Sequence, residues 1–313
     1  MNKNLHPLML AGTGSDVGKS IIAAAFCRIF LQDGYHPAPF KAQNMALNSY
    51  ATPEGLEIGR AQAVQAEAAG VPCHTDMNPL LLKPSSDHTS QVVLNGRPIG
   101  NRNAYEYFRR EGREELRKEV HAAFDRLAAR YNPVVMEGAG SISEINLRDS
   151  DLVNLPMAMH AGADVILVAD IDRGGVFASV YGSVMLLRPE ERKHIKGILI
   201  NKFRGDKTIL DPGIEMLEEK GNVPVVGVTP YLHVEIEDED SLTERFTSKK
   251  SGGLLDIAVI RTPRISNFTD FMALENIPEV SLRYVKNPSE LGNPDMIILP
   301  GTKNTMEDLL WMR

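Results

Sequence analysis

Residues 11–20 read Ala-Gly-Thr-Gly-Ser-Asp-Val-Gly-Lys-Ser and directly follow the apolar run Pro7-Leu8-Met9-Leu10. A buried strand, a glycine-rich loop and a Gly-Lys-Ser that opens a helix form a phosphate cradle. The loop N–H groups point inward, and the helix N-terminus contributes about half a positive charge. In such a loop the lysine reaches the β- and γ-phosphates and the serine hydroxyl ligates Mg²⁺. The stretch therefore predicts ATP binding by Gly12, Thr13, Gly14, Asp16, Val17, Gly18, Lys19 and Ser20.

Strand-like and helix-like patterns alternate on the C-terminal side of this loop. Short apolar runs occupy residues 134–136, 165–168, 198–200 and 223–228, and a further short strand is predicted over 36–41. Helical patterns cover residues 19–33, 58–69, 104–131, 176–187 and 209–220. Apolar strands that are separated by helices are typical of a parallel sheet, so the sequence predicts an α/β fold.

The composition changes after this alternating segment. An acidic run at 235–240 and a polar, glycine-rich stretch at 247–253 indicate a linker. Beyond it, strands are predicted over 254–261, 281–285 and 296–299, with a helix over 268–275. Three strands make a poor independent domain, so we expect the second domain to be incomplete. The predicted division is a first domain at 1–233, a linker at 234–253 and part of a second domain at 254–313.

The overall composition excludes several classes of protein. The chain has 313 residues, 43% of them hydrophobic and 24% charged, with a net charge of −7 and two cysteines. The negative charge disfavours a nucleic-acid surface, and two cysteines do not make a disulfide framework. No apolar run in the first ten residues is long enough for a signal peptide or a membrane span. We therefore predict a cytoplasmic enzyme without nucleic-acid or membrane partners. Whether it forms a homo-oligomer stays open.

Polar residues stand where the predicted strands end, which is where ligands bind in open α/β sheets. Glu137 follows Met136 and is a candidate Mg²⁺ ligand together with Ser20. Asn201 ends the strand at 195–200, and its amide suits the adenine edge of ATP. Two carboxylates in Asp170-Ile171-Asp172-Arg173 end the preceding strand, and their role stays open between direct participation and structural ion pairs.

Three further motifs carry a family resemblance. They are Phe40-Lys41-Ala42-Gln43-Asn44-Met45-Ala46-Leu47-Asn48-Ser49-Tyr50, the stretch at 75–84 beginning Thr-Asp-Met-Asn-Pro, and the stretch at 90–99 ending Asn-Gly-Arg-Pro-Ile. With them the chain, from Leu8 to its last residue, resembles the cobyric acid synthases, glutamine-dependent amidotransferases of cobalamin biosynthesis. The phosphate loop, with five residues between Gly12 and Gly18, also resembles the loop of dethiobiotin synthetase.

The resemblance implies a fold and an activity. The fold would be a dethiobiotin synthetase-like P-loop domain followed by the start of a class I, triad-type glutamine amidotransferase domain. The activity would be ATP- and Mg²⁺-dependent amidation of the b, d, e and g carboxylates of adenosylcobyrinic acid a,c-diamide, through an acyl phosphate and glutamine-derived ammonia. Lys19 and Lys41 would be catalytic, and the corrinoid would be bound by Lys41, Gln43, Asn44, Asn48 and Ser49.

One part of the family pattern is missing. Leu299-Pro300-Gly301-Thr302-Lys303 matches the family's oxyanion-side loop, but both cysteines, Cys27 and Cys73, precede the linker. The glutaminase Cys, His and Glu are therefore expected to be absent from this chain, which would be truncated within that domain and either ammonia-dependent or inactive.

Three rival hypotheses remain. The sister enzyme, cobyrinic acid a,c-diamide synthase, shares the loop and Glu137-Gly138 but lacks the motif at 41–50. A partition-type ATPase switch would carry a lysine early in the phosphate loop, where this chain has Thr13-Gly14-Ser15. A non-catalytic binding module would not need the complete ATP site.

Overall fold

The computed structural model describes residues 4–85, 89–103, 113–232, 234 and 252–313. Its strands are β1 (Leu8–Gly12), β2 (Ala38–Phe40), β3 (Gln43–Met45), β4 (Ser49–Ala51), β5 (Glu57–Gly59), β6 (Leu80–Pro84), β7 (Thr89–Leu94), β8 (Arg97–Asn103), β9 (Val134–Glu137), β10 (Asp164–Asp170), β11 (Ile195–Phe203), β12 (Val225–Pro230), β13 (Leu255–Ile260), β14 (Val280–Val285) and β15 (Met296–Ile298). Its helices are α1 (Lys19–Gln32), α2 (Arg60–Ala68), α3 (Arg113–Ala128), α4 (Leu155–Ala161), α5 (Val176–Met185), α6 (Pro189–Arg192), α7 (Asp211–Gly221), α8 (Met272–Glu275) and α9 (Thr305–Met312).

A six-stranded parallel sheet is the centre of the first region, residues 8–230. Its order is β12-β11-β10-β1-β9-β2, so β1 lies between β10 and β9. All four residues of β9 are buried, as are four of the five in β1, which is why these strands read as continuous apolar runs. Helix α1 contacts β1, β2 and β9, while α5 contacts β10 and α7. The loop after β1 therefore opens at the carboxyl edge of the sheet, beside the ends of its neighbours.

A smaller, mixed sheet interrupts the first region between β2 and α3. Its order is β3-β6-β7-β8, and β4 pairs with β5 in a separate antiparallel ribbon. Asn95 and Gly96, which join β7 to β8, have φ of 47° and 78°. A tight hairpin turn requires positive φ at both of its central residues, and the pair Asn-Gly adopts these angles with the lowest steric cost.

The second region, residues 252–313, contains a three-stranded parallel sheet of order β14-β13-β15. Its small core includes Val259 and Phe268, both fully buried. The region touches the small mixed sheet of the first region, because Lys303 Nζ donates to Gln91 and Asn304 Nδ2 donates to the Ser85 carbonyl 3.4 Å away.

The predicted α/β fold is confirmed, and most predicted elements form within two or three residues of the expected bounds. The predicted helix at 58–69 is partly wrong, because residues 57–59 pair with β4 and the helix begins at Arg60. The predicted helix at 104–131 forms over Arg113–Ala128, and residues 104–112 lie outside the described part. Most of the linker at 234–253 also lies outside it, so the domain bounds stay a prediction. Within the described ranges, no helix combines the length and apolar composition needed to cross a bilayer.

Candidate functional site

The phosphate loop runs from the end of β1 to the start of α1, as its sequence predicts. Lys19 is 7% exposed and folds back over the loop, where Nζ donates to the Gly14 carbonyl at 2.8 Å and the Gly140 carbonyl at 3.0 Å. A Cβ on Gly12 would lie 2.8 Å from that Nζ and 2.9 Å from the Gly14 carbonyl oxygen, so only glycine fits there. The ammonium group is thus already held above a loop of backbone dipoles, where phosphate oxygens would replace the carbonyls.

Glu137 is the centre of a buried polar cluster beneath the loop. It ends β9 with 1% exposure, and its Oε1 accepts from Ser20 Oγ at 2.8 Å and Lys41 Nζ at 3.0 Å. Its Oε2 accepts from Gln65 Nε2 at 2.6 Å. Lys41 is itself 5% exposed. The sequence predicted Ser20, Lys41 and Glu137 from three separate segments, and the fold brings all three together.

The same cluster fits a magnesium ion. Ser20 and Glu137 present only oxygen atoms, which are the ligands that Mg²⁺ prefers, and phosphate oxygens and water usually complete its shell. The carboxylate already accepts from one cationic group, the Lys41 ammonium, which shows that positive charge is accommodated beside Oε1. The residues present therefore suit a divalent cation bound together with a nucleotide.

Asn201 and Lys202, at the end of β11, brace the phosphate loop from the other side. Asn201 Nδ2 donates to the Val17 carbonyl at 2.9 Å, and a Cβ on Gly18 would come within 2.3 Å of that nitrogen. Lys202 Nζ donates to the Asp16 carbonyl at 2.6 Å. The observed role of Asn201 is therefore to hold the loop, and its contact with adenine stays a prediction.

The two aspartates after β10 are engaged in ion pairs. Asp170 Oδ2 lies 2.9 Å from Lys202 Nζ, and Asp172 Oδ1 lies 2.9 Å from Arg204 Nε. These contacts favour the structural alternative that the sequence left open, since Asp170 fixes the lysine that in turn braces the loop.

The amide-rich motif at 41–50 divides between the site and the interior. Gln43 lines the cavity beside the loop. Asn44 is 3% exposed and donates to Gln62 Oε1 at 3.0 Å, and Asn48 is 1% exposed. The Ser49 hydroxyl accepts from Lys83 Nζ at 3.1 Å. Substrate contact by these residues stays a prediction, and for Asn44 and Asn48 the burial points instead to shaping the loop that carries Lys41.

A cavity of about 470 Å³ opens next to the phosphate loop. Thr13, Gly14 and Ser15 line one side, and most of the remaining wall comes from residues 139–156. Two arginines, Arg113 and Arg148, also line it, and Arg148 is held by the Leu186 carbonyl at 2.8 Å and by Glu191 Oε1 at 3.5 Å. A cavity with guanidinium groups beside a phosphate loop is suited to an anionic substrate.

Sequence reasoning missed Gln65, Arg113 and Arg148 as site residues. Gln65 shares the stretch at 58–69 with Arg60, Gln62 and Glu67, so its residue type alone does not single it out, and nothing local distinguishes either arginine from a surface residue. Cys27 is near the cluster but is no nucleophile, because burial raises the pKa of its thiol to about 12 and the charge of Glu137 adds to the rise.

The fold and the loop together define a P-loop nucleotide-binding protein. Residues 8–242 match the model of the CobQ/CobB/MinD/ParA nucleotide binding domain family, and the chain belongs to that family. Residues 256–313 match the CobB/CobQ-like glutamine amidotransferase domain, so a second domain of that kind begins after the P-loop domain.

Curated relatives agree with this assignment. The chain is 80% identical over 315 residues to a cobyric acid synthase of Bacteroides fragilis and 71% identical over 315 residues to one of Phocaeicola vulgatus. In both cases all of this chain aligns with 64% of the relative, so the chain spans about two thirds of their length. Among solved structures, the signal recognition particle receptor FtsY of Elizabethkingia anophelis is 14% identical to this chain with a TM-score of 0.39, over 72% of this chain and 59% of that one.

Proposed function

We propose that this chain carries the ATP-dependent synthetase of a cobyric acid synthase, a carbon–nitrogen ligase that amidates the b, d, e and g carboxylates of adenosylcobyrinic acid a,c-diamide. The observation that supports this most directly is the Ser20–Glu137–Lys41 cluster, in which Glu137 joins Ser20 of the phosphate loop to Lys41 of the polar motif at 41–50. The alignment with a cobyric acid synthase covers the whole chain at 80% identity. We also propose that the protein is cytoplasmic, that its substrate is a corrinoid and that glutamine-derived ammonia is the nitrogen donor.

In the proposed mechanism, ATP lies along the loop 12–20 with its γ-phosphate toward the cavity. A carboxylate oxygen of the corrinoid attacks the γ-phosphorus, the bond to the β-γ bridging oxygen breaks, and ADP leaves. Ammonia then attacks the acyl carbon of the acyl phosphate, inorganic phosphate leaves, and the ammonium proton passes to solvent. The product is the amide.

The residues of this chain stabilise charge during that sequence. Lys19 is held at the loop, where it meets the charge that develops on the β- and γ-oxygens. When bound, Mg²⁺ would be held by Ser20 and Glu137 and would neutralise phosphate charge. Lys41 pairs with Glu137, and we assign its ammonium to orienting the attacking carboxylate or the transferred phosphoryl group.

Arg113 and Arg148 line the cavity, so we assign them to the peripheral carboxylates of the corrinoid. A guanidinium group can donate to both oxygens of a carboxylate, which fixes the direction from which the carboxylate approaches. We expect the rest of a corrin macrocycle to extend outward from the cavity.

The decisive experiment compares two nitrogen donors. The chain is incubated with ATP, Mg²⁺ and adenosylcobyrinic acid a,c-diamide, once with glutamine and once with ammonium salt at high pH, and product mass is followed. Because both cysteines precede residue 74, we expect amidation with ammonium and none with glutamine. Amidation with glutamine would show that a glutaminase nucleophile is present after all.

Two further outcomes separate the rival hypotheses. Amidation of cobyrinic acid at its a and c carboxylates would identify the sister a,c-diamide synthase. ATP hydrolysis that is independent of any corrinoid, with no amidation from either donor, would contradict the ligase proposal and favour an ATPase switch.

A further inference from the structure

Gln65 contacts the candidate metal ligand from within the core. It lies on α2 with 1% exposure, and its Nε2 donates to Glu137 Oε2 at 2.6 Å and approaches the Ser20 carbonyl at 3.3 Å. We infer that Gln65 is a positioning residue for the divalent cation: it anchors one carboxylate oxygen of Glu137, so that the other faces the cation together with the Ser20 hydroxyl. This inference rests on the metal site of the proposed function and deepens it.

The two oxygens of Glu137 have different partners. Oε1 accepts from Ser20 and Lys41, the two groups on the side of the phosphate loop, whereas Oε2 accepts from Gln65. A carboxylate without an anchor can rotate about its terminal bond and exchange its two oxygens. The Gln65 contact ties Oε2 to α2, and partners of this kind, which orient a metal ligand from behind, affect metal affinity strongly.

An amide is chemically suited to this role. Its N–H donates to the carboxylate without contributing a charge, so the negative charge of Glu137 is left to attract a cation. A lysine or arginine at the same position would hold the carboxylate equally well, but it would neutralise that charge and compete with the metal.

Packing alone does not explain a glutamine here. The other end of the amide, Gln65 Oε1, is buried and has no hydrogen-bond partner in the described part of the chain. An unpartnered buried oxygen is unfavourable, and an apolar side chain of equal length would avoid that cost. The contact with Glu137 is therefore the feature that a glutamine supplies and a methionine does not.

Helix α2 also provides a matched control. Gln62 is the same residue type, lies one turn earlier and is fully buried, yet its Oε1 accepts from Asn44 and no contact with Glu137 is observed. Replacing either glutamine by methionine keeps the length and burial of the side chain. Only the replacement of Gln65 removes the contact to the carboxylate.

The experiment measures metal binding directly rather than turnover. Mn²⁺ is titrated into the chain saturated with a non-hydrolysable ATP analogue, and free Mn²⁺ is quantified by electron paramagnetic resonance. Binding of the analogue without metal is measured in EDTA. We expect Gln65→Met to weaken Mn²⁺ binding by about tenfold or more. Gln62→Met should stay within about twofold of the parent, and metal-free analogue binding should be unchanged in both.

Glu137→Gln distinguishes a failure of the metal site from a failure of the role of Gln65. If it leaves Mn²⁺ binding unchanged, the metal site of the proposed function is wrong and the inference is overturned with it. If Glu137→Gln weakens Mn²⁺ binding but Gln65→Met does not, Gln65 has no positioning role and the proposed function stands. Equal losses in Gln65→Met and Gln62→Met would also overturn the inference, because they would show a general effect of α2. Gln65→Ser removes the same contact with a small polar side chain and replaces the methionine variant if that one does not fold.

Discussion

The first region (8–230) and the second region (252–313) both pair parallel strands, but they differ in how much apolar surface they cover. In the first region Leu10, Met136 and Leu167 are fully buried. In the second region Met296 and Ile297 of β15 are 54% and 51% exposed. The difference shows that parallel pairing alone does not complete a core, because each face of such a sheet also needs a covering layer.

The ends of the second region continue this contrast. Leu299 is 65% exposed, and Met306 and Leu310 of α9 are 72% and 64% exposed. These exposed apolar side chains lie in the region that matches the CobB/CobQ-like glutamine amidotransferase domain. We therefore expect the chemistry and most of the stability to reside in the first region.

The largest effect is expected at Lys19, which would place the phosphoryl chemistry in the first region. Removing one preorganised hydrogen-bond donor that stabilises the charge developing in the transition state typically costs about 3 kcal/mol, or roughly a hundredfold in rate. Lys19→Ala should therefore lower ammonia-dependent, corrinoid-coupled ATP turnover by about a hundredfold with an unchanged circular dichroism spectrum. Lys196→Ala, an exposed lysine on β11, is the matched control and should have no effect. A loss below tenfold would contradict the assignment of the phosphate loop.

The second prediction tests whether the two regions unfold independently. Leu167 on β10 and Leu282 on β14 are both buried, and a buried Leu→Ala change typically costs about 2–5 kcal/mol of unfolding free energy. The single tryptophan, Trp311, lies in the second region and reports on it alone. In urea, Leu282→Ala should shift the Trp311 fluorescence transition, and Leu167→Ala should shift the far-ultraviolet dichroism transition instead. If either variant shifts both transitions equally, the regions form one cooperative unit.

A smaller effect is expected at the exposed apolar surface. Leu299→Glu should reduce binding of a hydrophobic dye and any self-association, with a change in unfolding free energy within about 0.5 kcal/mol. Ile209→Glu is the control, because Ile209 is 82% exposed but lies in the first region. Equal loss of dye binding in both variants would show that the two regions do not differ in exposed apolar surface.

The smallest effect concerns the pH dependence of the second region. Arg283 donates to both carboxylate oxygens of Asp256, and this hydrogen bonding holds the pKa of Asp256 below its ordinary value, against the opposing effect of desolvation. A lowered pKa in the folded state contributes stability above the unfolded value of about 3.8, and that stability is lost as the pH falls through the folded-state pKa. The pair is partly exposed, so its contribution is below about 1 kcal/mol.

Asp256→Asn tests this contribution. It should lower the urea midpoint of the Trp311 transition slightly at neutral pH and flatten its dependence on pH below 4. If the urea midpoint of the variant depends on pH as steeply as that of the parent protein, other carboxylates cause the acid sensitivity.

Much of the site could be predicted because its chemistry is local in sequence. The loop 12–20 carries its strand, its glycines and its Gly-Lys-Ser in consecutive residues, and Glu137 stands directly at the end of an apolar run. Lys41 was assigned through the family resemblance that the motif at 40–50 carries. Gln65 could not be assigned, because its partner is 72 residues away and nothing in a helical pattern shows which buried polar group it will meet.

Asn201 illustrates the same limit. Its position at a strand end correctly indicated the edge of the sheet where ligands bind, but the amide is engaged with the Val17 carbonyl, 184 residues away. The burial of Asn44 and Asn48 could not be predicted either, since polar side chains are usually exposed, whereas Asn44 lies on β3 and donates to Gln62 of α2, and Asn48 is 1% exposed.

The sequence by itself determined the alternation of strands and helices, the phosphate loop and the residue types at the strand ends, because these depend on periodicity and on neighbouring residues. The tertiary structure alone decided which oxygen of Glu137 meets which partner, which amides are enclosed, and which apolar side chains of β15 and α9 stay exposed. Those outcomes depend on contacts between residues that are distant in the chain, and their distances are fixed only when the sheet has assembled.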